Sequence, residues 1–92
     1  MKRSVNWDYS LSEKAVRDLK KLDSQSRCRI VDFLDTRIRN TENPRQTGKA
    51  LRGPLGEFWR YRVGDFRVLC QIQDDRLIVL VVRVGNRKDV YD

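Results

Sequence analysis

Three arginines lie close together in a stretch that alternates like β-structure. Arg60 and Arg62 fall in the run Phe58–Val63, and Arg67 lies in the run that begins at Phe66. If Gly64-Asp65 is a two-residue hairpin loop, Val63 opposes Phe66 and Arg62 opposes Arg67. Tyr61 then opposes Val68, and Arg60 opposes Leu69. All three guanidinium groups share one face of the hairpin. Guanidinium is planar, permanently charged and able to grip phosphate oxygens two at a time, so several of them on rigid strands make a candidate anion site. The bland alternative is a solvated sheet face with its arginines splayed apart. The chain contains no histidine. That removes the usual neutral-pH general base, the commonest zinc ligand and any Ser-His or Cys-His nucleophile pair. Cys28 and Cys70 do not make a disulfide framework, and no metal site is expected. Glu57, Asp65 and Asp89 are isolated, which disfavours paired-carboxylate chemistry. The remaining chemistry is that of fixed positive charge.

The elements that position these residues follow from periodicity. Ser4–Tyr9 alternates, with Val5, Trp7 and Tyr9 on one side, and reads as a short half-buried strand. Ser10-Leu11-Ser12-Glu13 has the spacing of a capping box and predicts a helix over about Leu11 to Leu22, with Ala15, Leu19 and Leu22 on its apolar stripe. Asp23 or Ser24 caps a second helix to about Arg39, with Ile30, Val31, Leu34 and Ile38 inward and Phe33 beside them. The short break makes the two helices a hairpin. Thr41–Glu57 is a long connection punctuated by Pro and Gly, with one extended piece near Lys49–Leu51. Phe58–Val63, Phe66–Gln73 and Arg76–Val84 are three strands separated by Gly64-Asp65 and Asp74-Asp75, each pair read as a tight turn.

The last of these, Leu77–Val82, is apolar on both faces and therefore belongs inside the sheet. Its outer residues, with Leu69, form an apolar patch beside the arginines unless the long connection covers it. Gly85–Asp92 is a short polar tail carrying Arg87, Lys88 and Tyr91, whose ring offers a stacking surface. The expected fold is α+β: one domain over residues 1–92, in the order β-αα-βββ, with both helices on one face of a mostly antiparallel sheet.

Composition agrees with a nucleic-acid, acidic-protein or anionic-surface partner. Twenty Lys and Arg stand against 13 Asp and Glu, for a net charge of +7. The excess is spread evenly, +4 in residues 1–46 and +3 in residues 47–92, so any anion site arises from folding and not from a basic tail. No apolar stretch is long enough to span a membrane or read as a secretory signal, and a soluble cytoplasmic protein with no membrane partner is expected.

One resemblance gathers these pieces. Lys49-Ala50-Leu51-Arg52-Gly53, then Phe58-Trp59-Arg60-Tyr61-Arg62-Val63-Gly64-Asp65-Phe66-Arg67-Val68, then Val84-Gly85-Asn86-Arg87-Lys88-Asp89-Val90-Tyr91 resembles the RelE/ParE toxin superfamily of bacterial toxin–antitoxin modules, and its RelE branch in particular. The resemblance implies a ribosome-dependent mRNA endonuclease that cuts in the A site. In that chemistry the ribose 2′-hydroxyl attacks the neighbouring phosphate, without metal or cofactor. It further implies that Arg62 and Arg67 hold the scissile phosphate, that Arg87 stabilises or protonates the leaving oxygen, and that Tyr91 orients a base. Arg52, Arg60, Lys49 and Lys88 would contact RNA or the ribosome. The implied partners are mRNA, the ribosome with its 16S rRNA, and a cognate antitoxin whose complex binds operator DNA as a corepressor. The better-known members carry lysines where this chain has Arg60 and Arg62. Arginine is a poor general base, so electrostatic stabilisation carries more of the catalysis. The alternatives are a ParE-like gyrase inhibitor and a non-catalytic nucleic-acid-binding module.

Overall fold

A computed structural model describes residues 6–51 and 57–86. Strand β1 (Asp8–Leu11) begins later than the alternation alone predicts. The reason lies in where its backbone is committed. Trp7 donates its N–H to the Thr41 carbonyl at 3.0 Å, and its own carbonyl accepts from Asn40 N–H at 2.7 Å. These bonds tie Trp7 to the exit of the second helix, and ladder pairing starts one residue on. Leu11 therefore stays in the strand, and the capping residue is Ser12. Its Oγ accepts from the Ala15 N–H at 3.1 Å, opening helix α1 (Glu13–Lys20). The same hydroxyl donates to the Val82 carbonyl at 3.1 Å, fastening the helix start to the sheet.

Asp23 caps helix α2 (Ser24–Phe33), accepting from the Ser26 N–H and hydroxyl. The helix does not run on uniformly to Arg39. Over Leu34–Ile38 it widens into a π-turn, with the Arg39 N–H reaching back five residues to the Leu34 carbonyl at 2.9 Å. Leu34 and Ile38 are both buried, while Arg37 faces solvent. Past a short 3-10 turn (Pro44–Gln46), the expected extended piece is strand β2 (Lys49–Ala50). Strands β3 (Trp59–Val63), β4 (Phe66–Gln73) and β5 (Ile78–Asn86) complete a mixed five-stranded sheet in the order β1-β5-β4-β3-β2. The two-faced apolar strand is interior, as its composition requires.

The β3–β4 register is the one derived from the sequence: Val63↔Phe66, Arg62↔Arg67, Tyr61↔Val68 and Arg60↔Leu69. Gly64 supplies a φ of 59° at the first turn position. The second hairpin differs from expectation. Its turn spans four residues, Asp74 to Leu77, and pairing resumes at Gln73↔Ile78. Leu77 ends that turn with a φ of 55°, a conformation a two-residue loop would not have asked of it. Strand β5 then runs through Gly85 and Asn86, which the sequence had suggested for the tail. A bulge interrupts its pairing: Leu69 faces Arg83 but Cys70 faces Val81, leaving Val82 as the extra residue.

The helices cover one face of this sheet. Ala15, Leu19, Ile30, Leu34 and Ile38 meet Tyr61, Val68, Cys70, Val79 and Val81 in the main core. On the opposite face a smaller cluster forms where an exposed patch was one expectation. Leu51 and Leu69 are buried there, with Phe58 and Val82 against them. Leu51 is held in place by donating its N–H to the Phe58 carbonyl at 3.1 Å. The long connection thus returns to cover the strands.

Gly48 marks the tightest point of that return. Its φ is 87°, and a Cβ placed on it would lie 2.5 Å from the Arg60 carbonyl oxygen. Gly48→Ala should therefore destabilise the protein by at least about 2 kcal/mol, combining a backbone clash with left-handed strain. Denaturant unfolding measures this directly. A midpoint equal to wild type would mean that residues 47–50 do not need this close approach.

Candidate functional site

The site is built from the hairpin outward. Alternation along β3 sends Tyr61 and Val63 into the main core and Arg60 and Arg62 to the other face. Arg67, across from Arg62, also leaves the main core, but its depth is unlike its neighbours'. Arg62 is exposed and Arg60 partly buried, whereas Arg67 is only 3% exposed. It is the one buried charged residue among the described residues. The sequence placed all three on an uncovered face; alternation sets the side of a sheet a residue takes, not how deeply it lies there. Arg67 is flanked on β5 by Gly85, which has no side chain to compete for space. A guanidinium keeps its proton even when buried, so this position is a fixed positive charge.

Lys49 joins the cluster through β2, where it pairs with Arg60. The predicted residues Arg52, Arg87, Lys88 and Tyr91 lie outside the described residues. An open groove of about 560 Å³ runs beside the hairpin, with Arg37, Lys49, Arg60 and Arg62 on its walls and Phe33, Tyr61 and Val63 at its base. The base is rigid. The rings of Phe33 and Tyr61 sit 5.5 Å apart, and the Tyr61 hydroxyl donates to the Pro44 carbonyl. Burial pushes the Tyr61 phenol well above its ordinary range, and burial does the same to the Cys70 thiol. Neither exchanges protons near neutral pH. The groove works through its cations.

Other arginines are already occupied. Arg39 pairs with Asp8 at 3.3 Å and Asp35 at 3.4 Å, and Arg45 grips both carboxylate oxygens of Asp74 at 2.9 and 2.8 Å. Arg37, Lys49 and Arg62, by contrast, make no ion pair among the described residues. Sequence reading missed Arg37, because its place on the groove depends on how α2 packs beside β3.

It also missed Asp18. On α1, this carboxylate accepts from Arg83 Nε at 2.9 Å and from the Val84 backbone N–H at 2.9 Å. It pins the end of β5 just where β1 no longer flanks that strand. Burial alone would raise its pKa, but the Arg83 and Val84 hydrogen bonds and the Arg83 charge outweigh burial and hold it below the ordinary value.

This arrangement, two helices on one face of a five-stranded mixed sheet, is that of the RelE-like toxins. Residues 9–91 match the family described as the ParE toxin of the type II toxin-antitoxin system, parDE. The chain belongs to that family, within the RelE/ParE toxin superfamily. Among curated proteins it is 34% identical to Toxin RelG of Mycobacterium tuberculosis over 77 residues, covering 84% of this chain and 86% of that one. It is 30% identical to Toxin RelE of the same organism over 85 residues, covering 92% and 86%. Among solved structures, the toxin-antitoxin complex RelBE2 from M. tuberculosis superposes with a TM-score of 0.82 at 30% identity, covering 95% of this chain and 98% of that chain. No helix among the described residues is long and apolar enough to cross a membrane.

The Asp18 latch has a pH signature. Its pKa is lower folded than unfolded, so it adds stability that is fully present above the ordinary value of 3.8 and is lost as pH falls through the folded value. Asp18→Asn should lower stability at neutral pH and flatten the loss of stability below pH 3.8. Denaturation midpoints across an acid series check this. Curves for the two proteins that stay parallel would show that Asp18 contributes no proton linkage.

Proposed function

We propose that this toxin is a ribosome-dependent mRNA endonuclease, neutralised by a cognate antitoxin. The observation that carries the reading is Arg62 held directly opposite Arg67 on a rigid hairpin, one guanidinium exposed and one buried. The exposed Arg62 can grip the nonbridging oxygens of a phosphate, and the fixed charge of Arg67 behind it adds to the potential that meets the charge building there during reaction. The 2′-oxygen forms a bond to phosphorus, the bond to the 5′-oxygen breaks, and a 2′,3′-cyclic phosphate and a 5′-hydroxyl result. The 2′-hydroxyl proton leaves to solvent, and the 5′-oxygen gains one. On this reading Arg87 serves the leaving oxygen and Tyr91 orients a base, with Arg52, Arg60, Lys49 and Lys88 on the surrounding RNA. Catalysis is then mostly positioning and electrostatics, and the ribosome supplies the aligned codon.

RelG and RelE of M. tuberculosis are named as toxins, and the RelBE2 structure is a toxin–antitoxin complex. That likeness supports an antitoxin partner here. The +7 charge fits an acidic one, and the pair together would bind operator DNA. A second reading has a specific footing, since the matching family carries the ParE name. A gyrase inhibitor of that kind would leave messages intact and provoke a DNA-damage response.

Brief induction in growing cells, with message ends mapped with and without a translation block, separates the two. Cleavage should appear only in translated messages. Arg62→Ala should reduce it by about 10²–10³-fold, the scale of losing one transition-state donor. Arg62 is exposed, so folding should survive, as a thermal melt would confirm. Intact messages under wild-type toxicity, or full cleavage by Arg62→Ala, would overturn the assignment.

A further inference from the structure

We propose that the groove between the π-turn of α2 and the edge of β3 is a phosphate subsite for single-stranded RNA, in which Arg37 and Lys49 grip the backbone beyond the scissile phosphate. This rests on the endonuclease reading above and extends its site to a residue on a different layer of the fold.

Geometry supplies the opening. Strand β2 reaches only far enough to pair Lys49 with Arg60 and Ala50 with Trp59. In a two-residue hairpin the closing pair, Val63 and Phe66, is hydrogen-bonded across the strands, so the backbone groups of Arg62 point the other way. Beyond Arg60, no strand among the described residues lies beside that edge. The Arg62 N–H is therefore available to an acceptor arriving along the groove, and backbone N–H groups are ordinary phosphate donors. Arg37 approaches from the far wall. The π-turn keeps both Leu34 and Ile38 in the core while Arg37 stays exposed at the rim. Such turns recur at functional positions.

Charge supplies the ligand. Among the described residues, every charged one that lines the groove is a cation, and no carboxylate lines it. Arg37, Lys49 and Arg62 have no ion-pair partner among the described residues, whereas Arg39, Arg45 and Arg83 are each paired with Asp. Cations left unneutralised around one groove suit a polyanion. The apolar base, Phe33 and Val63 beside Tyr61, suits a ribbon that carries charge along one edge and flat apolar groups along the other. Single-stranded RNA is such a ribbon, and it is continuous with the phosphate assigned to Arg62.

The test uses the full chain and a fluorescein-labelled 12-nucleotide RNA, 2′-O-methylated throughout so that it cannot be cut. Binding is followed by anisotropy across a KCl series. Arg37→Ala should weaken binding about 5- to 10-fold and reduce the slope of log K against log salt by about 0.7, one phosphate contact on a single strand. Arg37→Lys should keep the slope. Arg76→Ala, at the opposite end of β4 among Glu57, Asp74 and Asp75, should change neither. A thermal melt confirms that each variant is folded. Unchanged affinity and slope for Arg37→Ala would overturn the proposal. So would a variant that binds RNA like wild type but loses affinity for the antitoxin, which would give the groove to the protein partner. Because this RNA cannot react, the result stands apart from message cleavage: a toxin that leaves messages intact yet shows the Arg37 effect defeats the endonuclease reading alone.

Discussion

Placing Arg62 opposite Arg67 sets two like charges side by side across an antiparallel pair, an arrangement that opposes folding by some tenths of a kcal/mol. A change of register is not a way out, because strand pairing has a period of two. Slipping β3 by one residue against β4 would separate the arginines. It would also carry Tyr61 and Val63 out of the core and replace them with charge. Burial of those two side chains is worth several times the repulsion. The Gly64 turn then locks the choice, since its positive φ fits a two-residue loop of the right twist. The hydrophobic layer thus fixes Arg62 opposite Arg67.

The two faces of the sheet are finished by different means. Helices α1 and α2 close the main core, each started by a side-chain cap, Ser12 or Asp23. The opposite face is closed only in part, by Leu51 and Phe58 over Leu69 and Val82. That partial cover leaves the arginines beside an apolar shoulder instead of in open solvent, which raises the strength of any charge interaction they make. The bulge at Val82 belongs to the same economy. It lets β5 keep Val79, Val81 and Val84 in one core although they are not evenly spaced for a regular strand.

Much of this was readable in the residues. The β3–β4 register, the core face and the interior place of β5 follow from alternation and one glycine turn. Other features were not. The four-residue turn at Asp74–Leu77 looks like a two-residue one in sequence, because Arg76 and Leu77 fit a strand as well as a turn. The start of β1 is set by backbone bonds from Trp7 to Asn40 and Thr41, more than thirty residues away in sequence. Arg37, Asp18 and the burial of Arg67 depend on how helices and strands pack, which periodicity within one element cannot report. Of the candidate site, the hairpin arginines and Lys49 were found from sequence, and the groove that joins them to Arg37 needed the third dimension.

The parallel pairing of β1 with β5 joins residues 8–11 to residues 78–81. A sheet whose first and last described strands are neighbours has no stable half. The nascent polypeptide can form its helices as it emerges, but its sheet cannot close until residues 78–81 have emerged as well, and such distant closure slows folding. The translating ribosome that makes this chain therefore carries an unassembled precursor.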